Sequence, residues 1–392
     1  MKIGIDGSRA FIKQRTGIEE YSYQVIKNLR NKLDGHQVVL YVRKNQLVDF
    51  DLPNNWKIKI IDWSRLWTQA GLSLEMLRRP VDALFVPAHT VPWIHPKKTI
   101  VTVHGLEYEV LPQAYSFWER VYMRFSIRNS CRWAKTIVSV SQNTKQDLIK
   151  LYGVSEDKIR VVYEGYAADA KSPVSTQTNA LSSRGGQISN FESNHNFEIK
   201  KLEIQSKFNP PAGGQNYKPY LLFIGRLEER KNIIGIVKAF EILKEKYHIE
   251  HKLVLAGRGG HGFKNIEEMI NDSKYAEDII QLGFVPDENK FELIAQADIF
   301  LFPTFYEGFG IPILEAQSVG VPVVTSSVSS MPEVAGESAI LVDPRRPDRI
   351  ASGVQGLLSN KSLRDAIIEK GHVNARRFSW DDCAQNLANI II

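Results

Sequence analysis

Short apolar runs alternate with longer amphipathic stretches along most of the chain. Runs that lack internal polar alternation are typical of strands buried on both faces of a parallel sheet. The stretches between them repeat their apolar residues about every three to four positions, as helices packed on a sheet do. We predict strands at 2–6, 37–42, 58–61, 83–86, 100–103, 136–140, 160–163, 220–224, 253–256, 279–282, 299–302, 321–327 and 339–344. This alternation predicts an α/β fold with two doubly wound, Rossmann-like domains in series.

The pattern stops between residues 169 and 217, where Ser, Asn, Gln, Gly and Pro dominate. Such a composition offers too little apolar surface to order itself, so we expect a flexible insertion there. The predicted domains are therefore 1–168 and 218–377, with the insertion at 169–217 between them. A last amphipathic helix at 378–392 carries these residues on one face: Trp380, Cys383, Leu387 and Ile390.

The stretch that follows the strand at 299–302 has the features of an anion site. Gly308 and Gly310 open a turn, and Pro312 falls where the first turn of a helix would begin. Unpaired N–H groups and the helix dipole favour a phosphate at such a helix start. Glu307 and Glu315 flank the turn and could accept hydrogen bonds from sugar hydroxyls. The alternative is an ordinary capped helix with glutamates near its start.

A second candidate site follows the strand at 220–224. Arg226 and Lys231 lie close to the strand end, and Asn232 could cap the next helix. Two cations beside a helix N-terminus are what a diphosphate requires. The alternative is ordinary surface charge, because other charged residues lie among them: Glu228, Glu229 and Arg230.

In the first domain, His104 follows the strand at 100–103. The carboxyl ends of parallel strands face the ligand crevice, so His104 is either a site residue or a structural histidine. Gly17 precedes the first helix without the G-x-G-x-x-G fingerprint, which makes it a weak ligand candidate. The spacing of His89 and His95 from His104 matches no metal-ligand pattern, and we assign no metal.

The helix predicted at 116–135 carries an arginine every fourth position, on one face: Arg120, Arg124, Arg128 and Arg132. Apolar residues lie nearby on the same helix: Trp118, Val121, Tyr122, Phe125 and Trp133. We expect these arginines to pair with acidic neighbours in a solvated face. An anionic lipid surface is the alternative partner.

Composition narrows the class of protein. A chain of 392 residues with 43% hydrophobic residues fits a folded protein of two domains. Its net charge of +6 is compatible with an anionic substrate or membrane surface and does not require nucleic acid. Two cysteines favour a reducing compartment over a disulfide framework. The chain opens on a strand, MKIGIDG, and has no long apolar run, so we expect a cytoplasmic protein, at most peripheral to the inner membrane face.

Several segments together resemble the family 4 glycosyltransferases, which have the two-domain GT-B fold with a crevice between the domains. They are GRLEERKN, Gly283-Phe284-Val285, YEGFGIPILEA, GVPVVTS and SMPEVAGESAILVDP, with FVPAH and VHG in the first half. The resemblance implies a retaining hexosyltransferase that uses a nucleotide-sugar donor, with no metal cofactor. It also implies that the helix at 378–392 packs back on the first domain.

The resemblance assigns roles by position. Arg226 and Lys231 would neutralise the donor diphosphate, Glu315 would hold the ribose and Glu307 the transferred sugar. His104 would lie by the reacting carbon. The remaining donor contacts would come from Gly17, Gly283, Phe284, Val285, Gly308, Phe309, Gly310 and Ile311. Fixed cations and a helix N-terminus suit the charge that develops as a nucleoside diphosphate leaves.

The donor and acceptor are less defined. The resemblance favours mannose from GDP-mannose, with UDP-sugars open, and a glycan or lipid-linked acceptor. Many family members carry Asp directly after the histidine, whereas this chain has Gly105, and Glu107 is the nearest substitute. A nucleotide-sugar epimerase and a non-catalytic nucleotide-sugar-binding protein are the competing interpretations.

Overall fold

The computed structural model describes residues 1–13, 15–166 and 219–392, with the side chain of Glu288 excepted. Within these ranges the chain forms two parallel sheets flanked by helices. The predicted insertion at 169–217 lies outside the described residues. The predicted fold class, two doubly wound α/β domains, is confirmed.

The first domain is built on a seven-stranded sheet, counted within the described residues. Its strands are β1 Lys2–Asp6, β2 Gln37–Arg43, β3 Trp56–Ile61, β4 Ala83–Val86, β5 Lys98–Val103, β6 Thr136–Ser139 and β7 Ile159–Val161. They pair in parallel in the order β3-β2-β1-β4-β5-β6-β7. The helices are α1 Gly17–Leu29, α2 Ser73–Arg78, α3 Glu107–Val110, α4 Phe117–Trp133 and α5 Gln142–Tyr152.

The second domain repeats the design with six strands in its described part. The strands are β8 Tyr220–Ile224, β9 Lys252–Ala256, β10 Ile279–Gly283, β11 Ile299–Phe302, β12 Val323–Ser326 and β13 Ile340–Val342. Their order is β10-β9-β8-β11-β12-β13, all parallel. The helices are α6 Ile233–Tyr247, α7 Phe263–Asn271, α8 Asp287–Ala295, α9 Ile311–Ser318, α10 Met331–Ala335, α11 Pro347–Ser359 and α12 Lys361–Ala375.

Burial explains why the strands could be predicted from the sequence. All four residues of β4, β11 and β12 are buried, because helices cover both faces of each sheet. The helices bury one stripe each. In α6 the buried face includes these residues: Ile233, Ile236, Val237, Phe240 and Leu243.

The chain returns to the first domain at its end. Helix α13, Trp380–Ile391, packs against α1, and Lys32 forms a 2.9 Å ion pair with Asp381. Gly165, which leaves the first domain, lies so close to Ser379 and Trp380 that a Cβ at position 165 would collide with their backbone. The two segments that cross between the domains therefore touch each other. We call this contact the junction.

Candidate functional site

Both sheets reverse their strand order next to their first strand, between β1 and β4 and between β8 and β11. In open parallel sheets, ligands bind outside the carboxyl ends of the strands at such a reversal. Arg226 follows β8, and Glu307 follows β11. The predicted donor residues of the second domain therefore flank one reversal point.

The turn between β11 and α9 is held by two serines that sequence reasoning missed. Ser329 Oγ lies 2.7 Å from the carbonyl oxygen of Glu307, and Ser330 Oγ lies 2.7 Å from that of Phe309. Gly310, the N-cap of α9, has a φ of 117°, which a residue with a Cβ rarely adopts. These constraints fix the backbone that leads to the N-terminus of α9.

Glu307 forms the centre of a largely buried charge cluster. Its Oε1 accepts a hydrogen bond from Arg230 Nη1 at 2.9 Å and contacts Lys231 Nζ. Arg230 Nη2 lies 2.7 Å from Glu228 Oε1, and Glu228 is itself buried. The interpretation of Glu228 and Arg230 as surface charge was therefore wrong. Both belong to the network that holds Glu307.

Lys231 is largely buried in this cluster. Burial and the neighbouring Arg230 lower the pKa of Lys231, and Glu228 and Glu107 oppose that shift. Asn232 occupies the N-cap position of α6, but its side chain forms no cap hydrogen bond. It donates instead to the carbonyl oxygens of Pro303 and Pro344, so it ties three loops of the site together.

Arg226 differs from Lys231 because it is exposed. Its alkyl chain covers Gly260, where a Cβ would lie 2.7 Å from Arg226 Cδ. No ion pair of Arg226 occurs within the described part of the chain. Its guanidinium is therefore available to an anionic ligand.

Glu315 lies on α9 away from the Glu307 cluster and is almost fully buried. Lys290 on α8 donates to Glu315 Oε1 at 2.6 Å. Burial alone would lower the pKa of Lys290, but Glu315 and Asp287 outweigh it and the pKa is raised. Sequence reasoning missed Lys290, because nothing local marks it as the partner of Glu315.

Gly283, Phe284 and Val285 lie at the end of β10, just before α8. Gly283 has a φ of 69°, and its carbonyl oxygen accepts a hydrogen bond from Gly257 N at 2.7 Å. Phe284 is exposed, with the Arg258 guanidinium 4.7 Å from its ring centre, whereas Val285 is buried. This segment lies beside the Lys290–Glu315 pair along the chain.

His104 directly follows β5 and is held through both ring nitrogens. Nε2 lies 2.8 Å from the carbonyl oxygen of Pro87, and Nδ1 lies 3.1 Å from Glu164 Oε1. Contacts on both sides of the ring therefore fix the orientation of His104. Gly17, by contrast, is the exposed first residue of α1, with no atom within 4 Å of a Cβ built on it.

The two domains meet tightly across the crevice. A Cβ at position 308 would collide with the carbonyl oxygen of His104. Tyr306 Oη accepts from Leu106 N at 3.1 Å and donates to Asp147 at 2.7 Å. The structure therefore brings His104 beside the turn that carries Glu307.

A further interdomain contact lies at the start of α5. Ser141 caps this helix by accepting a hydrogen bond from Thr144 N. The carboxylate of Glu333, from the second domain, accepts from Gln142 N at 2.8 Å and from Asn143 N at 3.3 Å. A residue of one domain thus satisfies free N–H groups of a helix in the other.

A cavity of about 330 Å³ opens beside the charge cluster. Arg230 belongs to the cluster and also lines the cavity. One wall comes from the segment 111–114 before α4, and the others come from the starts of α6 and α11. Lys238 and Arg345 also line it, and neither has an ion-pair partner among the described residues. Glu229 lines the cavity as well, so three cationic side chains stand against one carboxylate in its lining.

Helix α4 presents an unusual surface. These apolar side chains on it are exposed: Phe117, Trp118, Val121, Tyr122 and Phe125. Among its arginines, Arg124 forms an ion pair with Glu109 and Arg128 lies over the Tyr152 ring. Of the four predicted arginines, only Arg124 has an acidic partner within the described residues. The expected pairing with acidic neighbours thus holds for one of them.

The described residues contain neither a membrane-spanning helix nor a cluster of metal ligands. None of the helices there is long and apolar enough to cross a membrane. No group of three or more His, Cys, Asp or Glu side chains there is placed to hold a metal ion.

The comparisons with known proteins agree with this architecture. Residues 15–169 match the family described as "Glycosyltransferase Family 4", and residues 206–373 match "Glycosyl transferases group 1". The Escherichia coli O-antigen chain mannosyltransferase B is 31% identical over 296 residues, which cover 75% of this chain and 70% of that protein.

Two solved structures share the fold over nearly the whole chain. WaaG, a glycosyltransferase involved in lipopolysaccharide biosynthesis, has a TM-score of 0.69 at 17% identity, with 99% of each chain covered. Anabaena HepE in complex with UDP and glucose has a TM-score of 0.68 at 15% identity, covering 99% of this chain and 98% of that one.

Two facing Rossmann-like domains with these relatives define a glycosyltransferase of the GT-B fold, an enzyme of the hexosyltransferase class. The chain belongs to glycosyltransferase family 4. The family predicted from the sequence motifs is therefore confirmed.

Proposed function

We propose that this enzyme transfers mannose from GDP-mannose, with retention, to a glycan or lipid-linked acceptor in cell-surface polysaccharide or glycolipid synthesis. The observation that carries the proposal is that the turn of Glu307, which pairs with Lys231 and Arg230, packs through Gly308 against the backbone of His104. It puts carboxylate and cations from one domain beside a histidine of the other. The similar E. coli protein is a mannosyltransferase, which favours mannose as the transferred sugar.

In the proposed reaction Arg226, Lys231 and the N-terminus of α9 stabilise the charge on the departing diphosphate. Such fixed positive charges supply what a metal ion would otherwise supply, so we propose a metal-independent transfer. In the ligand-free protein Glu307 is the counterion of Lys231. When the donor binds, the diphosphate takes that position, and Glu307 turns to the hydroxyls of the sugar.

Retention requires that the acceptor attack the reacting carbon from the same face of the sugar as the departing diphosphate. The leaving phosphate then accepts the proton of the acceptor hydroxyl, and no protein nucleophile is needed. Glu315 anchors the ribose, which fixes the donor for this geometry. The Gly283–Val285 segment, Gly17, the turn 308–310 and Ile311 complete the proposed donor contacts. His104 holds its position through Pro87 and Glu164, next to the reacting carbon.

The positively charged cavity favours an acceptor that carries phosphate. Lys238→Gln and Arg345→Gln should then raise the KM for a polyprenyl-diphosphate-linked glycan and leave nucleoside diphosphate affinity unchanged. Lys246→Gln is the matched control, because Lys246 is exposed on the same helix outside the cavity. An unchanged acceptor KM in both cavity variants would remove the cavity from the acceptor path.

The α4 surface supports a peripheral position at an anionic membrane. Aromatic side chains can enter the headgroup region while arginines beside them pair with phosphates. The enzyme should sediment with phosphatidylglycerol vesicles and not with pure phosphatidylcholine vesicles. Trp118→Ser with Phe125→Ser should abolish this, whereas Leu47→Ser, at an equally exposed apolar residue outside α4, should not. Equal sedimentation of all variants would contradict a role for α4.

A panel of nucleotide sugars tests the function itself. We expect release of GDP from GDP-mannose that increases with acceptor and persists in EDTA. Release of UDP from a UDP-sugar instead would replace the proposed donor, which is a real alternative since HepE was solved with UDP and glucose. A product sugar inverted at a ring carbon without acceptor would indicate an epimerase. Binding of the donor without turnover would indicate a binding protein.

A further inference from the structure

Ser329 holds the backbone of Glu307 through two hydrogen bonds. Its Oγ accepts a hydrogen bond from Glu307 N at 3.1 Å and donates one to the carbonyl oxygen of Glu307 at 2.7 Å. A serine hydroxyl has one hydrogen and two acceptor lone pairs, so it can make both bonds at once. A single side chain therefore fixes the two peptide groups on either side of the Glu307 Cα. We call this pair of hydrogen bonds the Ser329 clamp.

The next serine holds a different part of the turn. Ser330 Oγ lies 2.8 Å from the carbonyl oxygen of Glu307 and 2.7 Å from that of Phe309. Both partners are acceptors, and a hydroxyl has only one hydrogen to donate. Because Ser329 already donates to Glu307, the hydrogen of Ser330 is available to Phe309. Ser330 thus anchors Phe309 and the approach to α9, whereas Ser329 anchors Glu307.

The backbone of Ser329 has a conformation that serine seldom adopts. Its φ is 59°, in the left-handed region that glycine occupies without strain. Two regular elements fix this segment, since β12 ends at Ser326 and α10 begins at Met331. Glycine would suit the backbone better, but it has no hydroxyl. Strain of this kind is typical of functional positions, and here the side chain that requires it binds Glu307.

The side-chain contacts of Glu307 do not last through the proposed reaction. Its carboxylate pairs with Lys231 and Arg230, and in the proposed mechanism the diphosphate takes the place of Glu307 beside Lys231. The carboxylate then turns to the sugar, and its direction depends on where the backbone holds the Cα and Cβ of Glu307. The Ser329 clamp acts on that backbone, so the exchange of side-chain partners leaves it in place.

We propose that Ser329 is the positioning residue of Glu307, which keeps the carboxylate directed at the hydroxyls of the transferred sugar once the diphosphate has replaced it beside Lys231. This inference rests on the proposed transferase function. Relaxation of the backbone favours glycine at residue 329, whereas the positioning of Glu307 requires serine.

Two variants separate the hydroxyl from the backbone. Ser329→Gly and Ser329→Ala both remove the hydroxyl, but only alanine keeps the strain. Both should lower kcat roughly ten- to a hundredfold, because misplacing a group by about 1 Å can have an effect of that size. Ser329→Ala should melt at a lower temperature than Ser329→Gly, although their kcat values are equal. Nucleoside diphosphate affinity should stay unchanged, since other residues hold the diphosphate and the ribose.

Ser327→Gly is the matched control. Ser327 is exposed in the same loop, and its side chain has no hydrogen-bond partner among the residues that the structure describes. Glycine at this position should loosen the loop and leave kcat unchanged. A kcat that falls as far as in Ser329→Gly would overturn the proposal. So would kcat values at residue 329 that follow the melting temperatures of the two variants.

A double-mutant cycle shows whether Ser329 acts through Glu307. In the Glu307→Gln background the carboxylate is already gone, so Ser329→Gly should lower kcat little further. A decrease as large as in the wild-type background would mean that Ser329 acts elsewhere, which contradicts the positioning role.

The same assays separate this inference from the function on which it rests. If the wild type transfers no sugar from any nucleotide sugar, the proposed function fails. If the wild type is active and Glu307→Gln is slow, but Ser329→Gly is as fast as the wild type, only the role of Ser329 fails.

Discussion

Replacing Glu307 by glutamine should affect the ligand-free enzyme and the donor complex in opposite ways. Glu307 is the counterion of Lys231 and Arg230, and the three side chains are only 15%, 11% and 18% exposed. Glu307→Gln keeps the shape and removes the charge. Two hydrogen bonds between charged groups are weakened, and each such bond contributes about 1.5–3 kcal/mol.

Because glutamine still accepts one hydrogen bond, we expect a loss of about 3 kcal/mol of unfolding free energy, the low end for breaking a buried ion pair. For a domain of this size each kcal/mol shifts the melting temperature by about 2–4 °C, so the ligand-free variant should melt roughly 6–12 °C lower. A nucleoside diphosphate gives both cations a new counterion. It should therefore raise the melting temperature of the variant more than that of the wild type.

Scanning calorimetry with and without the nucleoside diphosphate measures both effects, and a transfer assay completes the test. Nucleoside diphosphate affinity should be kept or increased in Glu307→Gln, while transfer falls, because only the intact donor carries the sugar. A variant that melts like the wild type, or that loses nucleoside diphosphate affinity, would refute the assignment of Glu307 as counterion and sugar ligand.

Three other predictions concern neighbouring groups. Arg226→Ala and Lys231→Ala should each slow transfer by an amount equal to about 2–4 kcal/mol, since each removes charge that stabilises the leaving group; near-normal turnover in a folded variant would exclude that residue. Glu315→Gln should weaken binding of the donor and of the free nucleoside diphosphate alike, since both contain the ribose, and titration calorimetry would expose any difference. Glu333→Ala should open the crevice, because it removes the carboxylate that holds Gln142, and small-angle scattering that shows no expansion would disprove this.

The strands could be predicted from the sequence because each is a local signal. β4, β8 and β11 have the predicted bounds, since a strand buried on both faces is a short apolar run in a polar context. Other strands, such as β7, begin or end one or two residues away from the predicted bounds. The last hydrogen-bonded pair of a strand depends on the neighbouring strand, which the local sequence does not describe. The GT-B class could be predicted because each motif that indicated it combines a strand end with a turn.

The partners in the candidate site could not be predicted in the same way. Arg230 was not predicted as a site residue, because its partner Glu307 lies 77 residues further along the chain. Glu164 is 60 residues from His104, and Lys290 is 25 residues from Glu315. Such pairs exist only after two strand ends have been brought together, and a single sequence contains no local trace of that approach.

The contact between His104 and Glu164 links the chemistry to the movement of the domains. Glu164 directly precedes Gly165, the residue pressed against the second crossing of the chain at the junction. His104, by contrast, directly follows β5 at the edge of the crevice. Because Glu164 lies between this histidine and the junction, a change of angle between the domains would move its carboxylate relative to the ring. The orientation of the two domains is therefore coupled to the position of a side chain that lies beside the turn of Glu307.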